Sequence, residues 1–341
     1  MWEAIQMAVI YIKEQGAYVR KEDRRLLVEK NSVTLAEIPI VNVSNVAVMG
    51  NVQLTTQALH MLMYEGVDVS FFSYAGNYLG QISADSSKNI FLRFAQYECY
   101  MDIDRRLMLA RTIVKNKIIN QINVIKNHNW REIEYDYHDE LVQLNKNLIS
   151  LPEKQTANEI MGVEGICSSI YFTSFGHMFR GNIRFEGRNR RPPKDPINVI
   201  LSLAYTLLTK EIASVLDAES FETYLGFLHG IRYGRKSLAL DVVEEFRQPV
   251  VDRLVVILFN KHIITEDDFS QSDEGILLTE EGFKKFCGEY EKWMKRPVSE
   301  KDNRNFRAII KNQVSNLKKA IREGRDYFPY EWGDCDVSGK L

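Results

Sequence analysis

A chain of 341 residues with 45% apolar and 26% charged side chains has the make-up of a globular protein long enough for two domains, each with its own core. The formal net charge of −2 excludes a uniformly basic nucleic-acid binder, so any polyanion-binding surface must come from local clustering. Four scattered cysteines (Cys99, Cys167, Cys287, Cys335) form no CxxC pair, which argues against a zinc ribbon or disulfide framework and for a reducing compartment.

The N-terminal run lacks a basic leader and is broken by Lys13, so it reads as a strand rather than a signal peptide. No stretch approaches the roughly 20 apolar residues of a membrane span, and a cytoplasmic chain without membrane contact is expected. Short β-rich runs at 8–12, 17–20, 26–29, 32–38 and 46–48, punctuated by Gly16 and Lys30-Asn31, predict a small antiparallel sheet. Thr55 or Thr56 caps a helix through Ala58, Leu59 and Leu62 to Gly66, and 67–72 returns as a buried strand. The polar, patternless stretch 81–87 reads as a linker.

Beyond it the period becomes helical. Ile103, Leu107, Ala110, Val114, Ile118, Ile122 and Ile125 recur at spacings of three and four, which predicts one long amphipathic helix. A second covers 138–149, and a third, opening near Asn158, carries Glu164. Asp195-Pro196 is a cap followed by a first-turn proline that launches 197–216. Another helix, from about Ser237 through Asp241 to Phe259, is expected to kink or split at Pro249. Thr265 with Asp268 and Thr279 with Gly282 frame a helix–hairpin–helix, a basic amphipathic helix covers 303–323, and the tail after Tyr330 reads as poorly ordered. The fold class is α+β multidomain: an antiparallel β-rich domain at 1–80, a linker at 81–90, an all-α domain at 91–300, and a C-terminal helix and tail at 301–341.

Three stretches set acidic or imidazole side chains among apolar neighbours, where an unpaired charge costs several kcal/mol. Glu164 lies between Val163 and Gly165; taken alone it suits a carboxylate near a helix start as well as a metal ligand. His229, after Phe227 and Leu228, suits a core histidine bonded to a backbone carbonyl as well as a catalytic one. Asp241, Glu244 and Glu245 fall on one helical face, where like charges repel and a cation relieves them, unless the face is solvated with Arg247 as local partner. Basic residues flank all three stretches: Arg180, Arg184, Arg188, Arg190, Arg191 and Lys194 around Phe179 and Phe185, then Arg232, Arg235 and Lys236. They read either as a solvated loop or as a surface that brings a polyanion to the acidic stretches.

Glu164-Gly165, the run Arg190-Arg191-Pro192-Pro193-x-Asp195-Pro196-x-Asn198, Gly226-x-x-His229 and Leu240-Asp241-x-x-Glu244-Glu245-Phe246-Arg247 resemble, in order, the CRISPR-associated endonuclease/integrase family of spacer acquisition, Cas1. Gln53-Leu54-Thr55-Thr56-Gln57-Ala58, Val69-Ser70-Phe71-Phe72 and Gly80 extend the resemblance to residues 5–290. It implies a dimerising β-rich domain and a helical catalytic domain whose metal ligands are Glu164, His229 and Glu244, with Asp241 a further acidic catalytic position. Glu245 is outside that set and is expected at the surface or behind the ligands.

The resemblance also implies a homodimer, a small Cas2 companion that completes a heterohexamer, and double-stranded DNA substrates (spacer precursor and CRISPR repeat). Two carboxylates and an imidazole suit Mg²⁺ or Mn²⁺, the imidazole favouring Mn²⁺. The expected chemistry is strand transfer by a DNA 3′-hydroxyl, with hydrolytic cleavage as a side activity. A stand-alone metal-dependent DNase or resolvase of branched DNA, and a non-catalytic DNA-binding scaffold, remain alternatives.

Overall fold

The structure, a computed structural model, describes residues 8–74, 76, 78–82, 89–128, 135–180, 184–189, 193–272, 275–299 and 302–333. The chain divides into two compact units, Met1–Ser86 and Ser87–Leu341.

The first unit begins with β1 (Ala8–Ile12), followed by β2 (Tyr18–Glu22), β3 (Arg25–Lys30) and β4 (Val33–Pro39). Asn31 and Ser32 both adopt positive φ, 49° and 64°, the geometry that matches a two-residue hairpin to the twist of β3 and β4. Then come β5 (Val43–Met49), β6 (Gln53–Leu54), α1 (Thr56–Tyr64), β7 (Asp68–Phe72) and β8 (Tyr78–Ile82). Thr55 caps α1 by accepting from the Ala58 amide at 3.1 Å.

The expected single antiparallel sheet is instead two sheets. The order β4-β3-β2-β6 is the antiparallel meander, with β6 added parallel to β2. The order β1-β5-β7-β8 is parallel through its first three strands. Parallel neighbours need long crossovers. Here the whole β2–β4 meander carries the chain from β1 to β5, and α1 carries it from β5 to β7. Val46, Ala47, Val48 and Met49 are consequently all buried, as a central strand covered on both faces requires. Gln81 and Ile82, expected in the linker, complete β8; most of the rest of that stretch lies outside the described residues.

The second unit is helical: α2 (Ile90–Met101), α3 (Ile103–Asn127), α4 (His138–Ser150), α5 (Ala157–Gly176) and α6 (Pro196–Ala218) precede α7 (Ser237–Val243) and α8 (Arg253–Asn260). A hairpin, β9 (Phe269–Ser272) with β10 (Gly275–Leu278), interrupts the helices before α9 (Glu280–Lys295) and α10 (Phe306–Glu323). Asp102 caps α3 through the Asp104 and Arg105 amides, and Thr156 with Glu159 forms a reciprocal capping box on α5. α6 is long and apolar enough by length and composition to cross a membrane, contrary to the expectation that no stretch is. Ile200, Leu201, Ala204, Leu208 and Ile212 of this helix are buried in the unit's own core. The helix expected to kink or split at Pro249 is broken earlier, after Val243, ahead of the segment that holds the proline. Arg247–Asp252 forms a π-helical turn, in which the Arg253 amide reaches back to the Gln248 carbonyl and the missing proline N–H is tolerated.

The C-terminal segment is ordered further than the sequence suggests. Gly324, at φ 67°, ends α10, and residues 325–333 run as a strap along α3. Asn116 and Asn120 donate to the Tyr330 carbonyl at 3.0 and 3.1 Å, Asn120 accepts from the Trp332 amide at 2.9 Å, and Asn123 donates to the Trp332 carbonyl. Trp332 is buried beneath the Arg253 guanidinium, 3.9 Å from its ring centre.

Candidate metal and phosphodiester site

The site lies where α3, α5 and the loop-to-α7 segment meet. Asp241 is completely buried, and its carboxylate accepts the backbone amides of Phe227, Leu228 (3.0 Å) and His229 (3.0 Å). It also bonds His229 Nδ1 at 2.8 Å. A carboxylate so occupied has little capacity left for a metal; its effect is to fix the imidazole through Nδ1 and leave Nε2 as the nitrogen open to another partner. Gly226 makes this possible. A Cβ there would sit 2.9 Å from Asp241 Oδ2 and 2.7 Å from the Ser237 carbonyl carbon. Burial pushes the His229 pKa down, but the Asp241 bond and charge, helped by Glu244, raise it overall.

Glu164, on α5, and Glu244, just past the end of α7, converge on one cation, the ammonium of Lys117 from α3. Lys117 Nζ lies 2.6 Å from Glu244 Oε2 and bridges directly to Glu164 Oε1, which also accepts from Ser168 at 2.9 Å. Arg247 Nη1 approaches the other Glu244 oxygen at 3.3 Å while its guanidinium covers the Tyr205 ring at 4.0 Å. Burial pushes the Glu244 carboxyl up, but Arg247, Lys117 and His229 together outweigh it and hold it at about 2. The His229 ring is coupled electrostatically to both Glu244 and Lys117. Glu164 is the open member of the pair, its side chain 26% exposed against 5% for Glu244.

Glu245 is neither at the surface nor on the Glu244 side. The helix ends at Val243, so residues 244–246 turn, and Glu245 points into the core. There it accepts from Tyr327 Oη and from the Tyr330 amide at 3.1 Å, and burial pushes its carboxyl up to about 7. The shared face expected for 241, 244 and 245 is thus three separate environments.

Among the described residues, no three His, Cys, Asp or Glu side chains gather as a ready-made metal cage. Lys117 stands between the two carboxylates that would supply it. The donor chemistry nevertheless suits a divalent ion: two carboxylates already share one cation, the buried Glu244 Oε2 faces the Lys117 ammonium at 2.6 Å, and the charge of the oriented His229 imidazole acts on Glu244. Lys117 was not among the sequence candidates. Its signal is a charge set into the apolar face formed by Ile113, Val114 and Ile118 of α3.

The basic candidates separate into two groups. Arg180, Arg184, Lys194 and Arg232 are exposed. Arg188 bonds Asn198 at 2.7 Å and Ser202 at 3.0 Å, Arg235 bonds the His229 carbonyl, and Lys236 pairs with Asp217 at 2.7 Å, so these three hold the fold around the site. Arg190 and Arg191 lie outside the described residues. Beside Glu164, a cleft of about 760 Å³ is lined by Gly165, Ser168, Ser169 and Thr173 of α5 and by Arg184 and Arg188.

A β-rich unit followed by a helical unit is the architecture of a solved Cas1 protein from Thermotoga maritima, which is 28% identical and superposes with a TM-score of 0.83 over 95% of this chain and all of that one. A casposase bound to its integration product shares the same fold at 21% identity, with a TM-score of 0.85 over 98% of this chain and 96% of that one. The sequence profile described as CRISPR associated protein Cas1 matches residues 10–292. The CRISPR-associated endonuclease Cas1 3 of Thermus thermophilus is 34% identical over 287 residues, 84% of each chain. The chain belongs to the Cas1 family.

Proposed function

We propose that this protein is a metal-dependent DNA endonuclease and integrase that captures short DNA fragments and joins them to a CRISPR repeat by 3′-hydroxyl strand transfer. The observation that carries this reading is the convergence of Glu164 and Glu244 on one cation, with a His229 ring fixed by Asp241 and coupled electrostatically to Glu244. Mg²⁺ or Mn²⁺ would be held by Glu164, Glu244 and His229 Nε2; when bound it polarises the scissile phosphate and stabilises charge on the leaving oxygen.

The chain's own groups supply the rest. Asp241 holds the imidazole in one tautomer and one orientation. Arg247, anchored on Tyr205, fixes the Glu244 carboxylate from its other side. Exposed Arg180, Arg184, Lys194 and Arg232 draw the DNA backbone toward carboxylates that would otherwise repel it. The same positioning serves either nucleophile, so water in place of the 3′-hydroxyl gives cleavage.

Double-stranded spacer precursor and repeat DNA are the substrates in this reading, with dimerisation through the β-rich unit. A Cas2 companion completes the heterohexamer in the cytoplasm. The test is an integration assay on a supercoiled, repeat-bearing target with wild-type, Glu164→Ala and His229→Ala proteins. Both variants are expected to lose joined product by at least about 100-fold; undiminished joining would remove these ligands. Cleavage of branched DNA by the wild type, without joining and without a companion, would instead identify a plain nuclease.

A further inference from the structure

The two glutamates at the site have cationic partners before any metal is added. Asp241 is satisfied by three amides and the His229 ring, which leaves two carboxylates, Glu164 and Glu244, facing two cations, Lys117 and Arg247. Arg247 approaches from the Tyr205 side and touches only Glu244 of the pair. Lys117 is the group that spans both, with 4% of its side chain exposed. An ion held by both carboxylates needs the oxygens that the ammonium now engages.

We propose that Lys117 is a resident counter-ion of the site: it keeps Glu164 and Glu244 together in the metal-free protein and competes with the divalent ion for them. This rests on Glu164 and Glu244 being metal ligands. Competition has a direction that simple structural support does not. Removing a positive charge from the centre of the site raises its affinity for a dication, although it leaves the metal-free protein with two under-compensated carboxylates. A second consequence concerns DNA. A dication adds two positive charges at the site, which an incoming phosphodiester partly offsets, so metal and DNA binding reinforce one another reciprocally.

Lysine suits the task because its ammonium is a point charge on a flexible four-carbon stem that can withdraw. Arginine would present a planar fork able to grip both carboxylates and would be harder to displace.

The experiment measures Mn²⁺ binding to the full chain by electron paramagnetic resonance, together with thermal unfolding with and without Mn²⁺. Wild type, Lys117→Met, Lys117→Arg and Glu164→Gln are compared. Lys117→Met is expected to bind Mn²⁺ at least tenfold more tightly than wild type, to melt lower without the ion, and to gain more from its addition. Lys117→Arg is expected to bind it more weakly than wild type. Adding a short DNA duplex is expected to tighten Mn²⁺ binding in wild type and to do so less in Lys117→Met.

Equal or weaker binding by a folded Lys117→Met overturns the proposal. If that variant does not fold, unchanged or tighter binding by Lys117→Arg overturns it alone. Failure of the underlying site assignment looks different: Glu164→Gln then binds Mn²⁺ as wild type does, or no variant binds it.

Discussion

At the scale of single residues, Asp241 carries the most geometry. Its carboxylate accepts from three consecutive backbone amides and the His229 ring, so Asp241→Asn sets an NH₂ against donors and leaves the imidazole unheld. Mn²⁺ affinity, measured by calorimetry, is expected to fall about 10- to 100-fold, as for other orienting partners of metal-bound histidines. Asp252, bonded to Tyr205 beneath Arg247, gives a pH signature of its own. Burial raises its carboxyl from 3.8 to about 6 against the opposing bond from Tyr205 and charge of Arg247. The folded chain therefore holds this proton more tightly than the unfolded chain. The associated stability is present below about pH 4, is lost as pH rises through about 6, and stays lost above it. Asp252→Asn is expected to flatten the melting temperature across that window, recovering on the order of 3 kcal/mol at neutral pH; an unchanged slope would show that the carboxyl ionises freely. Glu164, His229 and Glu244 are legible in the sequence as charges in apolar surroundings. Lys117 shows in the sequence only as one lysine on the apolar face of a long helix, and its partners Glu164 and Glu244 meet it only in the folded chain.

At the scale of elements, the strap at 325–333 ties together the two segments that bear Lys117 and Glu244. Asn116 and Asn120 lie on either side of Lys117 on α3, and the strap carbonyl they hold belongs to Tyr330, whose amide holds Glu245. Tyr330 also stacks on Phe246 at 5.8 Å. Tyr327→Phe removes one bond to buried Glu245 while keeping the ring, and is expected to cost about 1–3 kcal/mol in urea unfolding. An effect indistinguishable from zero would mean that the strap is not coupled to the fold. The helices are largely readable because their caps and periods are local: Asp102, Thr156 and Asp195 act within three residues of themselves. The parallel sheet and the strap are not, since both depend on partners far away in sequence. β1 pairs with β5 across an entire meander, and Trp332 finds Asn120 from 212 positions away. The break expected at Pro249 begins earlier, after Val243, and that shift separates Glu245 from Glu244.

At the scale of the whole molecule, a net charge of −2 places the attraction for DNA in a few exposed side chains rather than in the overall field. Replacing Arg184, Lys194 and Arg232 together by alanine is expected to weaken duplex binding without sequence preference. The slope of log affinity against log salt should become shallower by about one for each phosphate no longer neutralised. An unchanged slope would move the DNA path elsewhere. The division into a β-rich and a helical unit follows from a change of hydrophobic period, whereas the meeting of Glu164 and Glu244 at Lys117 needs the folded chain. Tryptophan distribution adds an optical consequence. Trp2 and Trp130 lie outside the described residues, Trp293 is buried beneath Arg296, and Trp332 is buried in the strap. Seating of the strap thus moves one indole from water to a guanidinium-covered pocket, and the emission colour of the protein becomes a gauge of how completely the segments bearing Lys117 and Glu244 have been tied together.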